Sequence, residues 1–277
     1  MNGFLIWLLA GFAAPAAASA PAPAISSADQ AAIGLAVDRG ALMYAYDQAA
    51  WHGTDDARAK LPDLTVSGGW IVDGPANAPE IVFYDKDAAD PHAVYVADFR
   101  DGKLVSSRVI GPSDDRTLSP ARQALIAAVR AARAKLVAAG AKPCAAAPFN
   151  VVVLPPSTPG GATLVYFLTP QTKNEAVPLG GHYRIEVGPD GKVGEMRSFT
   201  HSCIDMPTRG GSAGGVPAGG KLAAGFVTHL LDPVPTEIHV FSSLAARLPL
   251  FVGTTQNRRV WAVEGSRIRL VPNDTGK

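Results

Sequence analysis

Residues 93–110 read AVYVADFRDGKLVSSRVI. Two runs of strand-forming residues, Ala93 to Phe99 and Lys103 to Ile110, flank the dipeptide Asp101-Gly102. Asp-Gly between such runs is a strong short-range signal for a two-residue hairpin, because its turn needs positive φ at both central positions. Two further β-like runs, Leu64 to Val72 and Glu80 to Tyr84, precede this hairpin. Before them Ser26, with Asp29 three residues on, reads as a helix start. That helix is expected to reach about Trp51, with Ile33, Val37, Tyr44 and Trp51 on one face of a 3.6-residue period. Residues 25–116 therefore read as one helix followed by four antiparallel strands.

The same order recurs over residues 117–207. Ser119-Pro120 supplies an N-cap and a proline at the first helical position. The stripe Leu125, Val129, Ala132 and Leu136 follows, and Gly140 ends the helix. Arg122, Arg130 and Arg133 lie away from that stripe and read as the wet face of the helix. Four runs come next, Asn150 to Leu154, Thr163 to Leu168, His182 to Val187 and Lys192 to Phe199, with Pro189-Asp190-Gly191 between the last two. Pairing Val187 with Lys192 would set Arg184 opposite Glu195, a favourable cross-strand charge pair. The two helix starts and the two Asp-Gly-Lys turns are each about ninety residues apart, which suggests an internal duplication. Chance recurrence of a common unit explains the spacing equally well. Residues 208–221 are a Gly-rich loop, and residues 222–277 read as all-β: Ala223 to Leu230, Glu237 to Phe241, Leu250 to Gly253, Arg259 to Glu264 and Arg267 to Val271. The fold class expected is α+β, with helices packed on antiparallel sheets.

Residues 1–24 carry a different signal. The apolar run Phe4 to Ala14, the break at Pro15 and the small residues after it form a secretory signal peptide, cleaved after Ala18 or Ala24. The run is too short for a membrane span, which needs about 20 apolar residues. A periplasmic or secreted protein of about 250 residues remains, long enough for a substantial core. The formal net charge of +1, with both signs interspersed, lacks the basic footprint of a nucleic-acid binder and offers nothing to a membrane surface. In an oxidising compartment the cysteine pair Cys144 and Cys203 is expected to form a disulfide. Cys203 as nucleophile or metal ligand beside His201 is the competing reading.

Motifs for chemistry are weak. Gly215 to Lys221 matches most of a phosphate-binding loop, but Leu222 stands where Ser or Thr should hold magnesium. Gly210 to Gly214 matches G-x-S-x-G around Ser212, with Asp232 and His239 following in triad order, yet no strand and helix flank it. No cofactor or metal motif stands. The better candidates are histidines on strands, namely His182, His201 and His239, with His229 among the four in the second half. His182 comes first because Gly180-Gly181 lets a partner approach the backbone.

Three segments carry a resemblance: Pro178-Leu179-Gly180-Gly181-His182-Tyr183-Arg184, Asp232-Pro233-Val234-Pro235-Thr236-Glu237-Ile238-His239-Val240-Phe241 and Tyr46-Asp47-Gln48-Ala49-Ala50-Trp51. Together they resemble a group of uncharacterised exported bacterial proteins, which implies export and no particular activity. The functional expectation is a non-catalytic binding module of the cell envelope, with a protein or small-molecule ligand. Its rivals are an envelope hydrolase or metal-dependent enzyme using His182, His201 or His239, and a structural envelope protein.

Overall fold

Asp101 and Gly102 take φ of 48° and 74° in the computed structural model, which describes residues 24–61, 63–209 and 222–272. The turn joins β3 (Ala93–Arg100) to β4 (Lys103–Val109), the last two strands of a sheet ordered β1-β2-β3-β4. Its first two strands, β1 (Ser67–Asp73) and β2 (Glu80–Asp85), follow α1 (Ser27–Lys60). After α2 (Pro120–Ala138) come β5 (Asn150–Leu154), β6 (Thr163–Leu168), β7 (Ala176–Pro178), β8 (Tyr183–Val187), β9 (Val193–Ser198) and β10 (Asp205–Pro207). Strands β5, β6, β8 and β9 form a second antiparallel sheet, while β7 and β10 pair beside it. The chain closes with β11 (Gly225–His229), α3 (Glu237–Ala246), β12 (Leu250–Thr254), β13 (Arg259–Glu264) and β14 (Arg267–Leu270). The last sheet runs β11-β12-β13-β14, with β11 parallel to β12 and the other pairs antiparallel. The class is α+β.

The first two sheets share their cores. Side chains alternate across a strand, so Ile81 and Phe83 join Val152, Leu154, Leu164 and Tyr166 under α1. Their neighbours Val82, Val153, Val165 and Phe167 join Leu125, Val129, Ala132 and Leu136 of α2 on the opposite face. Burial on both faces explains why TLVYFL over residues 163–168 is apolar almost throughout. A third core, with Val177, Met206, Val227, Val240, Val252 and Trp261, joins α3 to the last sheet and to β7 and β10.

Both helix starts follow the sequence expectation. The Ser26 hydroxyl accepts from the Asp29 N–H, and the Ser119 hydroxyl accepts from the Arg122 N–H. Elsewhere the structure corrects the sequence reading. Helix α1 continues past Trp51 to Lys60, and its buried face is Ala36, Gly40, Met43, Tyr46, Ala49, Gly53 and Ala57. Trp51 is 59% exposed and stacks on His52. Small residues bury because α1 lies close to its neighbours: a Cβ on Gly40 would come within 2.7 Å of the Glu237 carbonyl oxygen, and one on Gly53 within 2.6 Å of Ile81. Arg122 is no solvated residue, since its guanidinium clamps Asp73 at 2.8 and 3.0 Å and also meets Glu80. The β8–β9 register carries an irregularity between Ile185 and Val187, so Val187 pairs with Val193 and Arg184 faces Arg197. Glu195 instead reaches Lys135.

Residues Glu237 to Phe241 form helix, and the C-terminal part is therefore mixed rather than all-β. E-I-H-V-F alternates like a strand, but a helix start overrides the pattern. The Nδ1 of His239, at the third helical position, accepts from the backbone N–H of Thr236. Glu or Gln usually does this in a capping box.

Candidate functional site

Cys144 and Cys203 form the expected disulfide, which fastens the segment after β9 to the segment after α2. Gly180 and Gly181 do permit a close approach, and the partner is the chain itself. A Cβ on Gly180 would sit 2.1 Å from the Ser202 carbonyl oxygen, and one on Gly181 2.7 Å from the Cys144 sulfur. His182 sits behind this junction with both ring nitrogens engaged. Its Nδ1 accepts from the Thr169 N–H at 3.1 Å, which places the proton on Nε2, 2.9 Å from the Pro178 carbonyl oxygen. Only 1% of it is exposed, and it joins backbone segments rather than facing a ligand.

Three other histidines converge. A cleft of about 60 Å³ opens between β11 and the segment 199–204, with His201, His229 and His239 in its lining and Leu179, Phe199 and Ile238 among its apolar walls. Residues 229 and 239 arrive from β11 and α3, and their rings meet edge to face at 4.7 Å. Each is held in one orientation. His229 Nε2 lies 2.9 Å from Asp232 Oδ2, and Arg197 Nη2 lies 2.8 Å from both oxygens of that carboxylate. Burial would raise the Asp232 carboxyl, but the His229 hydrogen bond and the Arg197 guanidinium hold it below its usual range. An ionised carboxylate only accepts, so His229 carries its proton on Nε2 and presents Nδ1 as acceptor. His239 is the complement: Nδ1 is occupied by Thr236, and Nε2–H remains as donor. Among the described residues neither free nitrogen has a hydrogen-bond partner, and both residues line the cleft.

An imidazole oriented by a carboxylate is the base half of a hydrolytic triad. Among the described residues no hydroxyl or thiol hydrogen-bonds the His229 ring, and no group of three or more His, Cys, Asp or Glu residues is placed to hold a metal ion. Ser212, the apparent phosphate loop from Gly215 to Lys221 and nearly all of the expected leader lie outside the described residues. No family model, curated protein or solved structure matches the chain. The cleft therefore has to be read from its own chemistry. Of the sequence candidates, the structure brings His201 and His239 together and sets His182 apart. His229 was among the four strand histidines, and what the sequence reading missed is its pairing with Asp232, whose signal was the spacing His229-Leu-Leu-Asp232 at a strand end, where the following turn brings the carboxylate back to the ring.

The buried imidazoles also set how the fold responds to acid. Burial, partly offset by the Pro178 carbonyl, holds His182 down at about 4, and burial with the neighbouring His229 holds His239 at about 3. Burial pushes the Asp47 carboxyl on α1 up to about 6 against the hydrogen bond from Gln48. As pH falls from about 6 to about 4, the unfolded chain binds two protons at these histidines that the native state refuses, which removes stability. The native state binds one at Asp47 that the unfolded chain refuses, which restores part of it. Among these three groups the histidines outweigh Asp47, so stability is expected to fall as pH falls across this window. Asp47→Asn removes the opposing proton and should make that fall steeper. Urea midpoints measured across the window check both statements, and a flat profile for wild type and variant would refute them.

Proposed function

We propose that this chain is an exported, non-catalytic binding module of the cell envelope, and that the cleft between β11 and residues 199–204 holds part of its ligand. The leader-like residues 1–24 and the Cys144–Cys203 disulfide support export. Among the described residues no helix is long and apolar enough to cross a membrane. One observation carries the binding reading: two residues that line one apolar-walled cleft each have one ring nitrogen engaged and one left over, Nδ1 of His229 as acceptor and Nε2–H of His239 as donor. That pairing matches a neutral group that both donates and accepts, a hydroxyl or a primary amide. The volume of about 60 Å³ suits one small group, for a cavity known to take benzene measures roughly 150 Å³.

Acetamide tests this directly. Titrated into protein labelled with ¹⁵N in its histidine rings, it is expected to shift His229 Nδ1 and His239 Nε2 and leave His182 unmoved. No shift at either nitrogen would overturn the reading. A second reading, a hydrolase with His229 as base, is favoured by the Asp232–His229 pair alone. Hydrolysis of p-nitrophenyl acetate that falls at least tenfold in His229→Ala would put that reading first.

A further inference from the structure

Strand β11, which lines the cleft, is a sheet edge that is open among the described residues. Strand β11 pairs with β12 on one side only. Within that parallel ladder Gly225 N–H donates to Pro249 and His229 C=O accepts from Thr255. Residues 225, 227 and 229 therefore spend their backbone groups on β12, and the N–H and C=O groups of Phe226 and Thr228 point the other way. Among the described residues nothing hydrogen-bonds them. Proteins usually blunt such an edge with lysine, proline or a bulge. The sequence here, GFVTH, has none, its pairing is regular, and Phe226 stands 67% exposed. Leu230 just beyond it is 58% exposed, and Ile204 across the cleft is 37% exposed. The edge strand β4 also exposes apolar side chains, Leu104, Val105 and Val109, but it carries Lys103 and Arg108.

We infer that the free edge of β11 takes an extended segment of a partner polypeptide, which adds as a strand and places one hydroxyl or amide side chain in the cleft. This rests on the cleft being a binding site. The observation that selects a polypeptide is the row of unpaired N–H and C=O groups, whose repeat only another backbone matches. Side-chain direction then completes the fit. In a sheet, neighbours in one row point to the same face, so the partner residues beside Val227 and His229 turn toward the cleft, while the one beside Thr228 turns to solvent with Phe226. Main-chain pairing supplies affinity, and the His229–His239 pair reads the side chain.

The test uses the blocked peptide acetyl-Thr-Val-Thr-Val-Thr-amide with the mature chain. Binding is expected to slow exchange of the Phe226 and Thr228 amide protons and to shift the two histidine nitrogens. A copy N-methylated at alternate residues, which keeps the side chains but loses the donors, should bind at least tenfold more weakly. Phe226→Pro removes an outward N–H that β12 does not use, and it should weaken the peptide at least tenfold while acetamide still shifts His229 and His239. Equal binding of the methylated peptide would overturn the strand inference and leave the cleft reading standing. Loss of the acetamide response in the wild-type protein would defeat the cleft reading itself. Protection of the Phe226 and Thr228 amides before any peptide is added, or a concentration-dependent dimer abolished by Phe226→Pro, would mean that this chain already fills its own edge and would overturn the partner.

Discussion

Glu237→Ala is expected to destabilise the protein by about 3–5 kcal/mol, because it leaves a guanidinium buried without its main counter-charge. Glu237 stands in the first turn of α3, where the positive end of the helix dipole also favours a carboxylate. Its Oε1 accepts from Arg184 Nη1 at 2.6 Å and from the Tyr166 hydroxyl at 2.9 Å, and it is 4% exposed. Arg184 keeps Glu186 at 2.8 Å, but Glu186 is far more exposed and the Arg184 Nε already lacks a partner. Truncation thus orphans two donors at once, on β6 and β8. Burying an ion pair is itself expensive, so removing both charges should cost less than removing one. Arg184→Met with Glu237→Leu is accordingly expected to recover most of the loss. Urea unfolding of the single and double variants measures both, and a loss below about 1 kcal/mol for Glu237→Ala would mean that water reaches Arg184 and screens it. The consequence reaches the cleft, because the Arg184–Glu237 and Arg197–Asp232 pairs pin the approach to α3 onto the second sheet and so aim His239 and His229.

What was legible in the sequence is what short range determines. The Asp101-Gly102 turn, the Ser119-Pro120 helix start and the eight strands of the first two sheets depend on residues within a few positions of one another. The disulfide followed from a count and a compartment. Apart from the β8–β9 register, which an irregularity within the hairpin shifts, the misreadings share a different cause: neighbours far along the chain decide them. The buried face of α1 is written in alanine and glycine because Val240 and Ile81 press against it, and a search for large apolar residues finds Ile33 and Trp51 instead. Helix α3 hides behind an alternating E-I-H-V-F because it buries two sides: Ile238 and Phe241 in one core, Val240 in another. The cleft is the extreme case. His201, His229 and His239 come from three separate segments, and no spacing in the chain announces them. Only His229-Leu-Leu-Asp232 was local, and three residues of separation is too common a distance to stand out.

Reducing the Cys144–Cys203 bond is expected to lower stability by about 4 kcal/mol, and to loosen one wall of the cleft before anything else. The closed loop spans a sequence separation of 59, which takes in the whole second sheet, and in the chain-entropy view a loop of that size restricts the unfolded chain by about this amount. The native state adds a local effect. On the Cys144 side the backbone is anchored, for its N–H donates to Thr169 Oγ1, Thr169 donates on to the Gly181 carbonyl, and the Thr169 N–H is held by His182. On the Cys203 side, residues 201–203 are exposed and Ile204 is the first to return to a strand partner, through its carbonyl and the Leu179 N–H. Without the bond, residues 201–203 keep few attachments to the rest of the fold. In the double variant Cys144→Ser/Cys203→Ser, hydrogen exchange should therefore rise first over residues 200–204, with β6 and β8 following only as global stability falls. A urea midpoint unchanged on reduction would show that the unfolded chain is already restricted without the bond. Uniform loss of protection across the second sheet would show that the disulfide braces the sheet as a whole and that the wall of the cleft has no separate dependence on it.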